Sequence, residues 1–229
     1  MTDLFTQHPG RRAFIAGASA AGLMGLTGCA ALPGLGLTDA VRRLLMLSSE
    51  RAFARMTADG GFWDQQVARI GLADIMGVRG NLLAGILTSA LFKNQLESAF
   101  AGVAVRGAER AAPLVADAVR IAGFQAAQQL VRGGPTAATA FLRGAMGSSL
   151  VEAMVPELNT AIRLANDPVI GEALSRLSGV DVAGVSNRLS GQINDTIWTE
   201  IGIEEAAIRR DPQSTNDPLL IGVFALGGR

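Results

Sequence analysis

At 229 residues the chain is long enough to bury a substantial core, and 49% hydrophobic against 17% charged residues is the composition of a packed protein, not a disordered one. Basic and acidic side chains balance at 20 each, which argues against nucleic acid, whose binding needs a concentrated cationic surface to release counterions. Tyr is absent and every basic residue but Lys93 is Arg, a usage that reads as genomic base bias and carries no chemistry.

Arg11 and Arg12 stand in front of the apolar run Ala13–Leu26, which is 14 residues long. That is short of the roughly 20 residues needed to cross a hydrocarbon core, but it has the length of a signal-peptide h-region. The paired arginines followed by Phe14 and Ile15 resemble a twin-arginine export signal, with Gly10 where Ser or Thr is common. Leu26-Thr27-Gly28-Cys29 resembles the bacterial lipoprotein box, in which the cysteine sulfur takes a diacylglycerol. Residues 1–28 are therefore expected to be a removed signal peptide and Cys29 a lipid attachment point. The competing reading is an inert, buried cysteine in a hydrophobic N-terminal helix. With one cysteine, no disulfide framework exists in either case.

Cleavage before Cys29 also removes His8, the only histidine, and with it Ser-His and Cys-His nucleophile activation and histidine-containing zinc sites. An acylated Cys29 is no thiolate nucleophile either. No metal site and no cofactor motif is expected. Ala30 follows the cysteine where an Asp would signal inner-membrane retention, so the expected location is the periplasmic side of the outer membrane, with the inner membrane or the soluble periplasm as alternatives.

Pro33, Gly34 and Gly36 suggest a tether over residues 29–36. Thr38 is placed as the N-cap of a helix that puts Val41, Leu45, Ala52, Phe53 and Met56 on one face and stops near Asp59-Gly60-Gly61. Residues 62–80 show irregular spacing and predict a loop with one short helix. From Asn81 to Phe92 an uncharged 12-residue run carries Leu82, Leu83, Ile86, Leu87, Ala90 and Leu91 at helical spacing and predicts a core helix. The helical pattern continues until Pro113, which is expected to start a new helix, and Gly133-Gly134-Pro135 predicts a stop and a restart.

Met146, Leu150, Met154, Leu158 and Ile162 form the next stripe, and Pro156 inside it predicts a kink or a new segment. The last long helix is expected over Ser186–Arg210, burying Ile193, Ile197, Trp198, Ile201 and Ile208, with Glu205 and Arg209 one turn apart and able to pair. Two Asn-Asp-Pro stretches, at Asn166 and Asn216, read as helix starts with Asp at the N-cap and Pro at N1. No strand alternation of useful length appears. The expected fold is all-α, a single multi-helix bundle-like domain over residues 37–229.

The segments Ala108–Pro113, Gly133–Arg143 and Glu204–Pro212, the last followed by Leu219–Phe224, resemble a family of exported bacterial proteins known as domain of unknown function 4197. The resemblance runs from about Leu37 to the C-terminus and departs at Val105 and Gly107, where members often have Asn and Ala. It implies an exported, largely helical protein and supplies no activity.

Glu109, Arg143, Glu204, Glu205, Arg209 and Asp211 are the polar positions near these segments. Helix-stabilising ion pairs and caps are the plain reading, since the adjacent Glu204 and Glu205 point about 100° apart and do not share a cleft. Three functional classes stay open. The first is a non-enzymatic envelope lipoprotein that binds a protein or lipid partner. The second is a carrier enclosing a small apolar ligand between helices. The third is a carboxylate- and Arg-based hydrolase or lyase, which requires convergent buried Glu and Arg in one pocket.

Overall fold

The first described helix, α1, runs from Pro33 to Thr57. It begins inside the stretch expected to be a tether and carries Thr38 within it. The structure is a computed structural model that describes residues 33–78, 90–164 and 182–226. The expected export signal with Arg11, Arg12, Leu26, Gly28 and Cys29, the stripe Leu82–Leu87 and the Asn166 helix start lie outside the described residues.

Among these residues there are nine α-helices and no strand, so the fold is all-α. Val41, Leu45, Ala52, Phe53 and Met56 are buried along one face of α1, as their spacing predicts, with Leu44 buried beside them. Gly60 and Gly61, both at positive φ, turn the chain into α2 (Phe62–Ile70). Gly71 then separates α2 from α3 (Leu72–Met76), and Gly77 ends α3 at φ 69°. Two helices thus replace the expected loop. Trp63 and Val67 follow one helical phase and Leu72, Ile75 and Met76 another, so the glycine between them hides the period from any single window.

α4 (Ala90–Ile121) is one continuous helix of 32 residues, about 48 Å long. It passes through Pro113, correcting the expected break there. The proline withholds one N–H from the helix ladder, yet Ala104, Ala108, Ala111, Val115 and Val119 bury a continuous face across it, and packing outweighs the lost bond. At the start of α4, Leu91 is 68% exposed, against its expected place in a core stripe. The chain continues through α5 (Ala127–Arg132), α6 (Ala137–Met146) and α7 (Ser149–Leu164). α7 likewise runs unbroken through Pro156, with Leu150, Met154, Leu158 and Ile162 buried. α8 (Val182–Arg210), a short 3-10 turn at Pro212–Thr215 and α9 (Pro218–Leu226) complete it.

One hydrophobic core joins these elements: α1 packs on α4 and α8, α7 packs on α4 and α8, α2 lies on α4, and α5 and α9 lie on α1. α1 and α4 run antiparallel. Near the start of α1 the Arg42 guanidinium sits 5.8 Å from the ring of Phe124, just past the end of α4, whereas Met56 near its end shares a cleft with Ala101 and Val105.

The Asn216 start behaves as the sequence predicts. Asp217 Oδ1 accepts from the amides of Leu219 (2.9 Å) and Leu220 (3.3 Å), and Pro218 opens α9. Arg43 reaches from α1 to Asp217 Oδ2 at 2.8 Å. Burial pushes the Asp217 carboxyl upward, but the hydrogen bond from Arg43 and the amides of Leu220 and Leu219 outweigh it and hold the group below its ordinary 3.8. A carboxyl depressed in the folded state stabilises above its ordinary value and loses that contribution as pH falls through the folded one. Asp217→Ala is expected to cost about 1 kcal/mol in urea denaturation at pH 7, and the gap to wild type is expected to narrow as pH falls below the ordinary carboxyl value of 3.8 and through the lowered folded one.

Candidate functional site

Gly133 to Thr136 connect α5 to α6, and Thr136, at the N-cap of α6, makes no side-chain capping bond. The first amides of a helix must then find acceptors elsewhere. Glu205 of α8 supplies them. It is fully buried; its Oε1 accepts from the Ala138 amide at 3.0 Å and its Oε2 from the Thr139 amide at 2.7 Å. Arg209, one turn further along α8, donates from Nε to Glu205 Oε1 at 2.8 Å. Its other nitrogens donate to the last carbonyls of α5, Nη1 to Val131 (3.0 Å) and Nη2 to Leu130 (2.9 Å), and the guanidinium faces the Phe224 ring at 4.9 Å. One ion pair therefore caps the end of one helix and the beginning of the next, each charge at the dipole end that favours it.

Two glycines permit this approach. A Cβ on Gly133 would lie 2.6 Å from Ala137 Cβ and 3.0 Å from the Gln129 carbonyl, and one on Gly202 would lie 3.2 Å from Thr136 Cγ2.

The other polar positions go elsewhere. Glu204 points away from Glu205 and accepts from Arg55 Nη1 of α1 at 2.5 Å; Arg55 also donates to Glu200. Burial lowers the Arg55 pKa, but the hydrogen bonds to Glu204 and Glu200 outweigh it and raise the value above the ordinary one, fixing the cation. Arg143 is exposed and pairs with Asp195 at 2.5 Å. It lines an open groove of about 380 Å³ between α6 and α8 with Thr136, Thr139, Trp198 and Ile203. Glu109 is exposed on α4, apart from the rest, and Asp211 is exposed past the end of α8, where its carbonyl accepts from the Ser214 hydroxyl. Of the candidate cluster, only Glu205 and Arg209 come together.

Two further contacts escaped sequence reasoning. Arg188 of α8 donates to the Ile75 (3.1 Å) and Met76 (2.7 Å) carbonyls, closing the end of α3, and Trp198 Nε1 donates to Asn194 Oδ1 at 3.0 Å. The second was visible as an i,i+4 pair. The first was not, because backbone carbonyl acceptors leave no side-chain signature. Among the described residues no group of three or more His, Cys, Asp or Glu side chains is placed to hold a metal ion, and no helix is long and apolar enough to cross a membrane.

Residues 34–225 match the family described as "Protein of unknown function (DUF4197)". The chain belongs to that family. Three of the segments that carry the sequence resemblance to DUF4197 meet at the ion pair: Gly133–Arg143 through the capped amides, Glu204–Pro212 through Glu205 and Arg209, and Leu219–Phe224 through the ring beside the guanidinium. No curated protein and no solved structure matches the chain.

Removing one partner of a buried pair strands the other charge. Glu205→Ala and Arg209→Ala are each expected to lose about 3–5 kcal/mol in chemical denaturation, against less than about 1 for Glu204→Ala, whose Arg55 partner keeps Glu200 and solvent. The Glu205→Ala/Arg209→Ala double variant is expected to lose clearly less than the sum of the single losses.

Proposed function

We propose that this DUF4197 chain is a lipid-anchored envelope protein, exported and attached through Cys29 at the periplasmic face of the outer membrane, whose helical domain binds a protein or lipid partner. The observation that carries the binding half of this reading is an open groove of about 400 Å³ between α4, α6 and α7, lined by Leu114, Ala118, Ile121, Leu142 and Met146. Ile121 at its edge is 84% exposed, a large apolar side chain whose presentation to water favours a binding role. The anchoring half is supported by the Leu26–Cys29 pattern directly behind the h-region.

The chemistry of the buried ion pair agrees with a binding role. Both Glu205 oxygens accept backbone amides, and all three Arg209 nitrogens donate to Glu205 or to backbone carbonyls, so the pair's hydrogen bonds are spent inside the fold and not on a groove. The groove is a half-open cleft and not an enclosed cavity, which favours a partner surface over a small molecule held between helices.

Intact mass spectrometry of the protein from a bacterial envelope tests the anchor. The wild-type chain is expected to begin at an acylated Cys29 and to sediment with membranes, and Cys29→Ser to appear unacylated. Arg11→Lys/Arg12→Lys is expected to leave the precursor uncleaved. A wild-type chain that starts at Met1 without a lipid overturns the reading.

A further inference from the structure

We infer that the end of the domain where α1 begins is a membrane-contacting face, with Ile121 and the adjoining groove seated in the lipid surface that holds Cys29; this rests on the anchor reading above. The antiparallel arrangement of α1 and α4 puts the first turns of α1 and the last turns of α4 at one end of the molecule. Arg42 lies over the ring of Phe124, three residues past Ile121. Covalent reach limits where the lipid can be. Cys29 stands four residues before Pro33, at most about 14 Å when extended. Pro33 to Arg42 adds nine helical residues, about 14 Å more. The attachment point is thereby kept within about 28 Å of Arg42, while the opposite end of α4 lies about 48 Å from Ile121. An anchored domain therefore presents the Ile121 end to the bilayer.

The chemistry of that end suits acyl chains better than headgroup charge. Ile121 projects into solvent, and Leu114, Ala118, Leu142 and Met146 continue the apolar surface behind it. The charges beside Ile121 are paired: Asp117, which lines the groove, with Arg120, and, at the start of α1, Asp39 with Arg42 and Arg43 with Asp217. So small an apolar contact would bind vesicles weakly from solution, but a short tether raises its effective concentration and turns the contact into an orienting one.

The test uses the mature acylated protein carrying Ile121→Cys. Acylation occupies the Cys29 sulfur, so the introduced thiol takes a nitrobenzoxadiazole dye selectively, and a surface position this exposed tolerates the change. Glu109→Cys, about 18 Å back along α4, is the reference. In phosphatidylethanolamine–phosphatidylglycerol vesicles, brominated lipid is expected to quench the dye at 121 at least about two-fold more than at 109, with iodide showing the reverse order. Equal iodide quenching at both sites overturns the inference. A dye at 121 shielded from both quenchers also overturns it, assigning the groove to a protein partner or a second copy. Intact mass of the same sample separates the two failures: an unmodified Cys29 removes the anchor reading together with this inference, whereas an acylated chain with a water-exposed dye removes this inference alone.

Discussion

The fold depends on a buried ion pair that has no slack. Taking a carboxylate and a guanidinium out of water is costly, and their mutual attraction repays it only when the remaining lone pairs and protons also find partners. Glu205 and Arg209 meet that condition through the backbone: two amides of α6 and two carbonyls of α5 complete the set. The dependence is mutual. The Gly133–Thr136 turn leaves the start of α6 without a local cap, so the tight turn needs a buried carboxylate and the buried carboxylate needs the turn.

The same device recurs along α8. Its apolar residues Val185, Leu189, Ile193, Ile197, Ile201 and Ile208 lie in the core, while its polar residues close the ends of shorter helices or tie down long ones. Arg188 ends α3, Glu200 and Glu204 hold Arg55 of α1, and Glu205 with Arg209 joins α5 to α6. Short helices such as α3 and α5 are marginal by themselves, because few of their backbone groups are satisfied internally. A long central helix that supplies caps in trans lets them persist.

What the sequence reveals and hides follows from this division of labour. Long apolar stripes on α1, α7 and α8 are legible because 3.6-residue periodicity survives in the buried residues, and Asp217-Pro218 is legible because its cap is local. The pairing of Glu205 with Arg209 is visible as an i,i+4 spacing. Their partners are not, since Ala138, Thr139, Leu130 and Val131 contribute backbone atoms that any residue carries. Pro113 misleads for the opposite reason: the local rule is sound, but one missing amide weighs little against a helix face buried over many turns.

The Pro113 outcome bears directly on the groove that the proposed function uses. Leu114, Ala118, Ile121 and Ala122 lie at i, i+4, i+7 and i+8, so they form a single ridge only while the helix keeps its phase. On the inner side Val115 and Val119 hold that phase by burial in the core. A helix restarted at Pro113 at another angle would scatter the ridge, and the groove against α6 and α7 would lose one wall. The charged motifs near the C-terminus, which look most like a site, are consumed in holding helices together. The apolar groove is instead walled by one face of a helix that continues where its sequence suggests a stop.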